Sequence, residues 1–311
     1  MLGETFVMAA SNSRHESGMV VDNQDTFDEH RPLLFSIAYR MLGSVADAED
    51  ILQETYLRWH CADREPIESP KAWLSTVATR LCINQLHTAR AQREHYVGPW
   101  LPEPVVTDPA EARRDNDQLS ESLSLGFLLL LERLTPTERA VFLLREVFGY
   151  EFEEIARVVE KSELNCRQLL RRARQHMADR RPRFESSPAQ AEVLLDRFLK
   201  AIDAGDLDSL LAVLCEDVTV VTDGGGITNA ALRPIVGAEK VSRFILGATR
   251  KFGIPMRANR HANINNQPGF IGYVDGRAVQ VAVFEIVEGR IQTIRFINNP
   301  AKLNHIPAAG H

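Results

Sequence analysis

Residues 151–174 read EFEEIARVVEKSELNCRQLLRRAR, and their spacing predicts two helices joined by a tight polar turn. In the first, Ile155, Val158 and Val159 are apolar and Ala156 is small where a second helix would cross. Glu160-Lys161-Ser162 forms the turn. Ser162 is a good N-cap for the next helix, because its hydroxyl accepts from an otherwise unpaired backbone N–H. Cys166, Leu170, Ala173 and Met177 then fall at i, i+4, i+7 and i+11, one apolar stripe. Arg167, Arg171, Arg172 and Arg174 lie mostly off that stripe, with Asn165 and Gln168 nearer the helix start. A helix fixed by its apolar side and presenting Arg, Asn and Gln on the other has the chemistry to enter a DNA major groove. An ordinary amphipathic surface helix with solvated arginines fits the same pattern, so the rest of the chain must decide.

The 311-residue length corresponds to about two domains, each able to bury its own core. The 44% apolar and 25% charged content is ordinary for soluble globular protein. Cys61, Cys82, Cys166 and Cys215 are scattered, with no CxxC pair and no histidine at zinc spacing. This points to reduced thiols in a cytoplasmic protein and to neither a disulfide framework nor a metal site; no cofactor is expected. No apolar run approaches the roughly 18–20 residues that span a bilayer, so no membrane partner is expected. The first twenty residues contain Glu4, Arg14, His15 and Glu16 and lack a signal-peptide core. Residues 1–24 read as a flexible extension. The net charge of −6 is unusual for a DNA-binding chain, but phosphate binding depends on a local basic patch. Residues 167–183 hold seven arginines against one acid, Asp179. An acidic total implies weak DNA affinity alone, with another protein supplying much of the hold.

Residues 25–96 read as helical. Ser44-x-x-Asp47 resembles a capping box, with Asp in place of Glu or Gln. Ala48, Leu52, Tyr56 and Trp59 then share one face, and Asp47, Asp50 and Glu54 share an acidic one. After a loop over 62–70, a long helix is expected from about Lys71 to His95. Its apolar side carries Leu74, Val77, Ala78 and Leu81, and its polar side Arg80, Asn84, His87 and Arg90. Residues 97–118 form a linker, with Pro99, Pro102, Pro104 and Pro109 and no regular period. Residues 119–183 are helical again, with Thr135 and Pro136 opening a helix, and 182–188 is a short second linker. Residues 189–311 change character. A helix over 191–204 ends at Gly205, strands are expected at 218–222, 269–274, 277–287 and 290–297, and a helix near 238–252. The last two strands read as a hairpin around Glu288-Gly289, which makes this part an α+β domain.

Taken together, these segments resemble the extracytoplasmic-function (ECF) sigma factors of bacterial RNA polymerase, over Asp25 to about Arg183. Ser44-Val45-Ala46-Asp47-Ala48-Glu49-Asp50 through Gln53-Glu54 and Trp59 is similar to the region 2 helix that docks on core polymerase. The resemblance implies that Asp47, Asp50, Gln53 and Glu54 contact core RNA polymerase. Ser69-Pro70-Lys71-Ala72-Trp73-Leu74 and the following helix resemble the part that melts and reads the −10 element, with Arg80, Asn84, His87 and Arg90 as its DNA-side candidates. Trp59 and Trp73 are better read as core packing. The block ending RRAR resembles region 4, which implies that Asn165, Arg167, Gln168, Arg171, Arg172 and Arg174 face the −35 duplex of promoter DNA. Relatives usually carry Gly where this chain has Glu160, and an aliphatic residue where it has Cys166. The expectation is a turn reshaped around Glu160, because a non-glycine residue at positive φ costs about 1 kcal/mol.

The linker and tail sharpen the resemblance. Trp100-Leu101-Pro102-Glu103-Pro104 resembles the WLPEP signature of the ECF subgroup with a fused SnoaL-like domain, which has the cone-shaped NTF2-like fold. Asp223-Gly224-Gly225-Gly226 matches most of its DGGGK motif, with Ile227 replacing lysine. Asn299-Pro300-Ala301-Lys302-Leu303 resembles NPDKL, with Ala301 replacing aspartate. The subgroup implies that these residues make intramolecular contacts through which the tail modulates the sigma regions. The fold class expected is therefore multidomain: two all-α sigma domains followed by an α+β cone. Other readings make the tail a cyclase using Asp223 and His261 as an acid–base pair, or a cone holding a small apolar molecule. Another makes the chain a DNA-binding repressor, which leaves the region 2 block and WLPEP unexplained.

Overall fold

The computed structural model describes residues 23–62, 67–108, 117–177, 188–252 and 259–309. The expected N-terminal extension up to residue 22, the linker residues 109–116 and the second linker up to residue 187 lie outside them. The first block is three helices: α1 (Asn23–Leu42), α2 (Val45–Cys61) and α3 (Pro70–Glu94). Gly43 separates α1 from α2 at φ +67°, and a Cβ there would meet the Trp100 ring at 2.9 Å, so backbone and packing both call for glycine. Ser44 caps α2 by accepting from Asp47 N–H, as expected. Ala48, Leu52 and Trp59 are buried, and Trp59 packs on Trp73 with ring centroids 5.4 Å apart.

The second helical block holds α4 (Asp117–Glu121), α5 (Leu125–Leu131), α6 (Pro136–Phe142), a π-helical turn (Leu143–Val147), α7 (Phe152–Val159) and α8 (Glu163–Met177). Thr135 opens α6 through a full capping box with Glu138. The buried residues of α8 are Cys166, Leu170, Ala173 and Met177, the stripe expected from spacing. The turn before it is built on Glu160. That residue takes the left-handed conformation itself (φ 54°, ψ 48°), a strained position for a residue with a Cβ.

The tail holds α9 (Pro188–Ala204), α10 (Leu207–Val213), β1 (Leu214–Asp223), β2 (Ile235–Val236), α11 (Ala238–Phe252), β3 (Asn259–Ile264), β4 (Gln267–Val274), β5 (Arg277–Val287) and β6 (Arg290–Ile297). These strands form one sheet in the order β2-β1-β6-β5-β4-β3, antiparallel except for the parallel β1–β6 pair. The β5–β6 hairpin turns at Glu288 and Gly289, both at positive φ, as expected. The sequence reading missed α10, β2 and β3. The NRHANI stretch of β3 has no apolar run, and β2 is only two residues long.

Strand alternation gives the sheet two buried faces. Phe270, Ala282, Phe284, Ile294 and Phe296 face the helices α9, α10 and α11 in one core. Ile271, Val281, Val283 and Ile297 join a second core that runs continuously into both sigma-like blocks. The outer face of the tail is thus the floor on which the helical blocks sit.

Interdomain lock and candidate nucleic-acid interface

On α8, Asn165, Gln168, Arg171 and Arg172 are exposed. Arg167 lies over the Phe152 ring (4.2 Å) and pairs with Glu163, and Arg174 pairs with Glu146 at 2.7 Å. Arg145 also approaches the Phe152 ring, at 5.1 Å. These three arginines line a groove with Arg171 and Phe152, and internal contacts orient all three before any ligand arrives. Sequence spacing found this face; it gave no sign of Arg145 or Phe152.

On α2, Asp50 and Gln53 are exposed. Asp47 is half-buried and accepts from Gln85 of α3 at 3.4 Å, and Glu54 pairs with Arg58 at 2.8 Å. On α3, Asn84 and His87 are exposed, while the Arg90 side chain lies outside the described ones. Arg80 departs from expectation. Its guanidinium donates to the carbonyls of Arg157 (2.7 Å) and Val158 (3.0 Å) and pairs with Glu160 at 3.1 Å. The last carbonyls of a helix lack intrahelical partners and carry its negative end, so Arg80 caps α7 while staying at the surface.

Further polar ties bind the two helical blocks together. Arg40, buried on α1, donates to Ser122 Oγ (2.8 Å) and Leu119 O (2.9 Å). Glu132 bridges Arg93 of α3 and Arg139 of α6, and Arg139 also donates to Met41 O at 2.6 Å. Burial alone would raise the Glu132 carboxyl, but the two guanidinium groups outweigh it and hold it below the usual carboxylate range.

The linker threads between blocks in an extended path, and Leu101, Pro102, Glu103 and Pro104 are buried. The Glu103 carboxylate accepts from Val45 N–H (2.7 Å), Ala46 N–H (3.3 Å) and Ser44 Oγ (3.0 Å), a capping anion at the positive end of α2. Tyr39 Oη donates to Glu103 O at 2.5 Å. His305 Nε2 donates to Pro104 O at 2.7 Å. The Trp100 ring packs against Arg93 (3.8 Å) and Lys302 (4.5 Å), which anchors the linker to α3 and to the tail.

Asp223, fully buried at the end of β1, is where the three tail motifs meet. Oδ2 accepts from Lys302 Nζ (2.7 Å) and Leu101 N–H (2.8 Å), and Oδ1 from Tyr96 Oη (2.5 Å) and Gly225 N–H (3.1 Å). Lys302 donates also to Leu101 O at 2.5 Å, and Asn299 Nδ2 donates to Tyr96 Oη at 2.9 Å. Burial lowers the Lys302 pKa below the ordinary lysine value, against the opposing pull of Asp223. Burial, and then the bond to Asp223, raises Tyr96, which stays a neutral donor. Gly225, at positive φ, sits where any Cβ would collide with Asn299 Nδ2. Gly224 and Gly226 complete the turn, and the short 3₁₀ turn Pro300–Lys302 ends at Leu303, itself buried.

A second contact centre was not visible in the sequence reading. The β3–β4 turn, Asn265-Asn266, has both residues at positive φ and projects into the junction of all blocks. Asn265 Nδ2 donates to Tyr39 Oη (2.7 Å) and Leu123 O (2.9 Å), and its Oδ1 accepts from Val105 N–H (2.9 Å). Gln267 Oε1 accepts from Leu125 N–H at 2.8 Å, and Asn266 Nδ2 donates to Ser120. Backbone bonds Thr107 N–H to Asn263 O and Asn265 N–H to Val105 O lay the linker on the β3 edge. The Asn-Asn dipeptide before Gln267, a pair of residues that tolerates positive φ, is the unused sequence signal for this turn.

The acid–base pair offered by the cyclase reading is not assembled. Asp223 is on β1 and His261 on β3, four strand steps apart in the sheet; Asp223 is held by Lys302, Leu101, Tyr96 and Gly225, and His261 pairs with Asp196 at 3.2 Å. Ile227 and Ala301, which replace charged residues of the subgroup motifs, are both exposed, with Ile227 at 68%. The buried Lys302–Asp223 contact is therefore intact despite both substitutions. No helix among the described residues is long and apolar enough to cross a membrane.

Comparison with known proteins agrees with this architecture. The Sigma-70 region 2 family matches residues 26–92 and the Sigma-70, region 4 family residues 124–177. The ECF RNA polymerase sigma factor SigJ of Mycobacterium tuberculosis is 37% identical over 296 residues, covering 90% of this chain and 93% of that one. The probable ECF RNA polymerase sigma factor SigI of the same species is 32% identical over 285 residues, covering 90% and 94%. The crystal structure of M. tuberculosis SigJ superposes with a TM-score of 0.71 at 37% identity, covering 89% of this chain and 97% of that one. These relatives are named as sigma factors, not as enzymes. With two sigma-like helical blocks, an α+β tail docked on both, and relatives that match along nearly the whole chain, this protein belongs to the ECF RNA polymerase sigma factors.

Proposed function

We propose that this chain is a cytoplasmic sigma factor without catalytic activity of its own, which its tail and linker restrain in a closed arrangement. In the open form, Asp47, Asp50, Gln53 and Glu54 meet core RNA polymerase, and Asn84, His87, Arg90 and a released Arg80 meet the −10 element. Asn165, Arg167, Gln168, Arg171, Arg172 and Arg174 meet the −35 duplex. The observation that carries the restraint is the capping of α7 by Arg80, a residue of the −10 set, through two carbonyl bonds. Elements at −10 and −35 lie about 25 base pairs, or ~85 Å, apart along B-form DNA. A compact body of about 150 residues has a radius of gyration near 15 Å. Two blocks in direct contact therefore cannot engage both elements together, and opening must precede promoter binding.

The test is run-off transcription with core polymerase on a promoter library, comparing the full chain with Lys302→Met. Point substitution is preferred to removal of the tail, because removal would bare the apolar sheet face that the helical blocks share. Promoter-specific transcripts that increase in Lys302→Met support the reading. Equal transcription by both would remove the restraint, and no transcripts from either, with both folded and bound to core, would remove promoter recognition.

A further inference from the structure

The tail contains a cavity of about 280 Å³ on the helix side of its sheet, near the lower end of the ~300–1,000 Å³ typical of small-molecule sites. Folded cores hold few voids larger than a water molecule, so a space of this size among aromatic rings needs an account. Phe244 and Phe252 of α11, Phe270 of β4 and Phe296 of β6 supply its walls. None of its lining residues is ionisable. Burying a charge here would be opposed by desolvation with nothing to offset it, and no general acid or base is at hand.

Three amides interrupt the apolar lining: Asn229, which is exposed at the mouth, and the adjoining pair Gln280 and Asn298. Gln280 of β5 donates through Nε2 to Asn298 Oδ1 at 3.0 Å. By the donor and acceptor inventory of the two side chains, that bond leaves an acceptor, Gln280 Oε1, next to a donor, Asn298 Nδ2. The two lining hydroxyls are engaged elsewhere: Thr249 Oγ1 donates to Ile245 O, and Thr222 Oγ1 bonds with Ala231. We infer that this cavity is a binding site for a small uncharged molecule with a flat apolar body and one head group that both donates and accepts a hydrogen bond, as a lactam or carboxamide does.

The position of Asn298 gives such an occupant a route to the rest of the chain. Its backbone N–H donates to Asp223 O at 2.7 Å and its carbonyl accepts from Thr228 Oγ1 at 3.1 Å. Asn299, the next residue, holds Tyr96. An occupant that bonds Asn298 therefore acts one residue away from the lock. This link rests on the restraint reading above; binding itself does not, and is measured without polymerase or DNA.

The test is isothermal titration calorimetry of the full chain with three probes: quinolin-2(1H)-one, its 1-methyl derivative and quinoline-2-carboxylate. The lactam should bind at one site, the methylated compound roughly fivefold or more weakly because its donor is lost, and the carboxylate not at all. Gln280→Leu should bring the lactam and its methyl derivative to equal affinity, and Ala248→Phe, which fills the cavity from α11, should abolish binding of both. Absence of saturable lactam binding to the wild-type chain overturns the proposal. So does equal affinity of lactam and methyl derivative in the wild type, a comparison that needs no variant to fold.

Discussion

Lys302 and Asp223 are 79 residues apart in sequence, yet Nζ lies 2.7 Å from Oδ2 in a site where the lysine is 8% and the aspartate 0% exposed. Removing one member of a buried pair leaves the other charge uncompensated, at about 3–5 kcal/mol. Lys302→Met should therefore lower the unfolding free energy of the chain by an amount of that order. Adding Asp223→Asn should recover at least ~1 kcal/mol, because the orphaned charge disappears. Denaturant unfolding of the four chains in this cycle measures the coupling; additive losses would mean that the two residues act independently.

Arg80 makes opposite predictions for compactness and for promoter opening. Arg80→Ala removes two bonds to helix-end carbonyls, each a charge-assisted contact of about 1–2 kcal/mol before solvent exposure reduces it. Small-angle scattering should show an expanded chain, while transcription from a matched promoter should fall if the same guanidinium serves the −10 element once released. Expansion together with increased transcription would confine Arg80 to the closed form.

The hairpin tip gives the cleanest separation of backbone from contact. Asn265→Gly keeps the left-handed conformation that the turn requires and deletes the side-chain bonds to Tyr39, Leu123 and Val105. A loss of roughly 1–3 kcal/mol in stability is expected from the buried groups left unpaired. Faster amide exchange at Leu123 and Val105 than in the wild type should accompany it. Unchanged exchange there would show that the sheet face alone holds the junction.

Glu160→Gly should stabilise the second helical block by up to ~1 kcal/mol, since glycine occupies φ 54° without the steric cost. The loss of an exposed pair with Arg80 offsets little of this. Thermal unfolding of the two chains at one pH decides it; a lower midpoint for the glycine variant would mean that Glu160 contributes more than its conformation costs.

Glu132 sets an acid limit. Its carboxyl is held below the ordinary value by Arg139 and Arg93 against the effect of burial, so the folded state binds its proton less readily than the unfolded chain does. The resulting stability is fully present above the unfolded carboxylate pKa of about 4.3 and is lost as pH falls through the folded value. Wild type should exceed Glu132→Gln by roughly 1–3 kcal/mol near pH 7, with the gap closing below about pH 4. A gap independent of pH over that range would assign the effect to packing.

Sequence alone determined the elements whose physics is local. The stripe Cys166, Leu170, Ala173 and Met177 reports one helix face because helical period and burial coincide there, and the caps at Ser44 and Thr135 are short-range bonds between neighbours. The β5–β6 hairpin was legible for the same reason, and the WLPEP, DGGG and NPAKL segments were recognisable as a set. Their joint role was not. Only the tertiary structure decided that Asp223, Tyr96, Leu101 and Lys302 share one buried site, because residues that distant are joined by packing and not by period. It also decided that Arg80 caps α7 and that Asn265 reaches Tyr39. A polar side chain on a helix looks the same in sequence whether it faces water, DNA or the carbonyl end of another helix. What distinguishes these cases is the partner surface, which only the packing of distant segments brings to the residue.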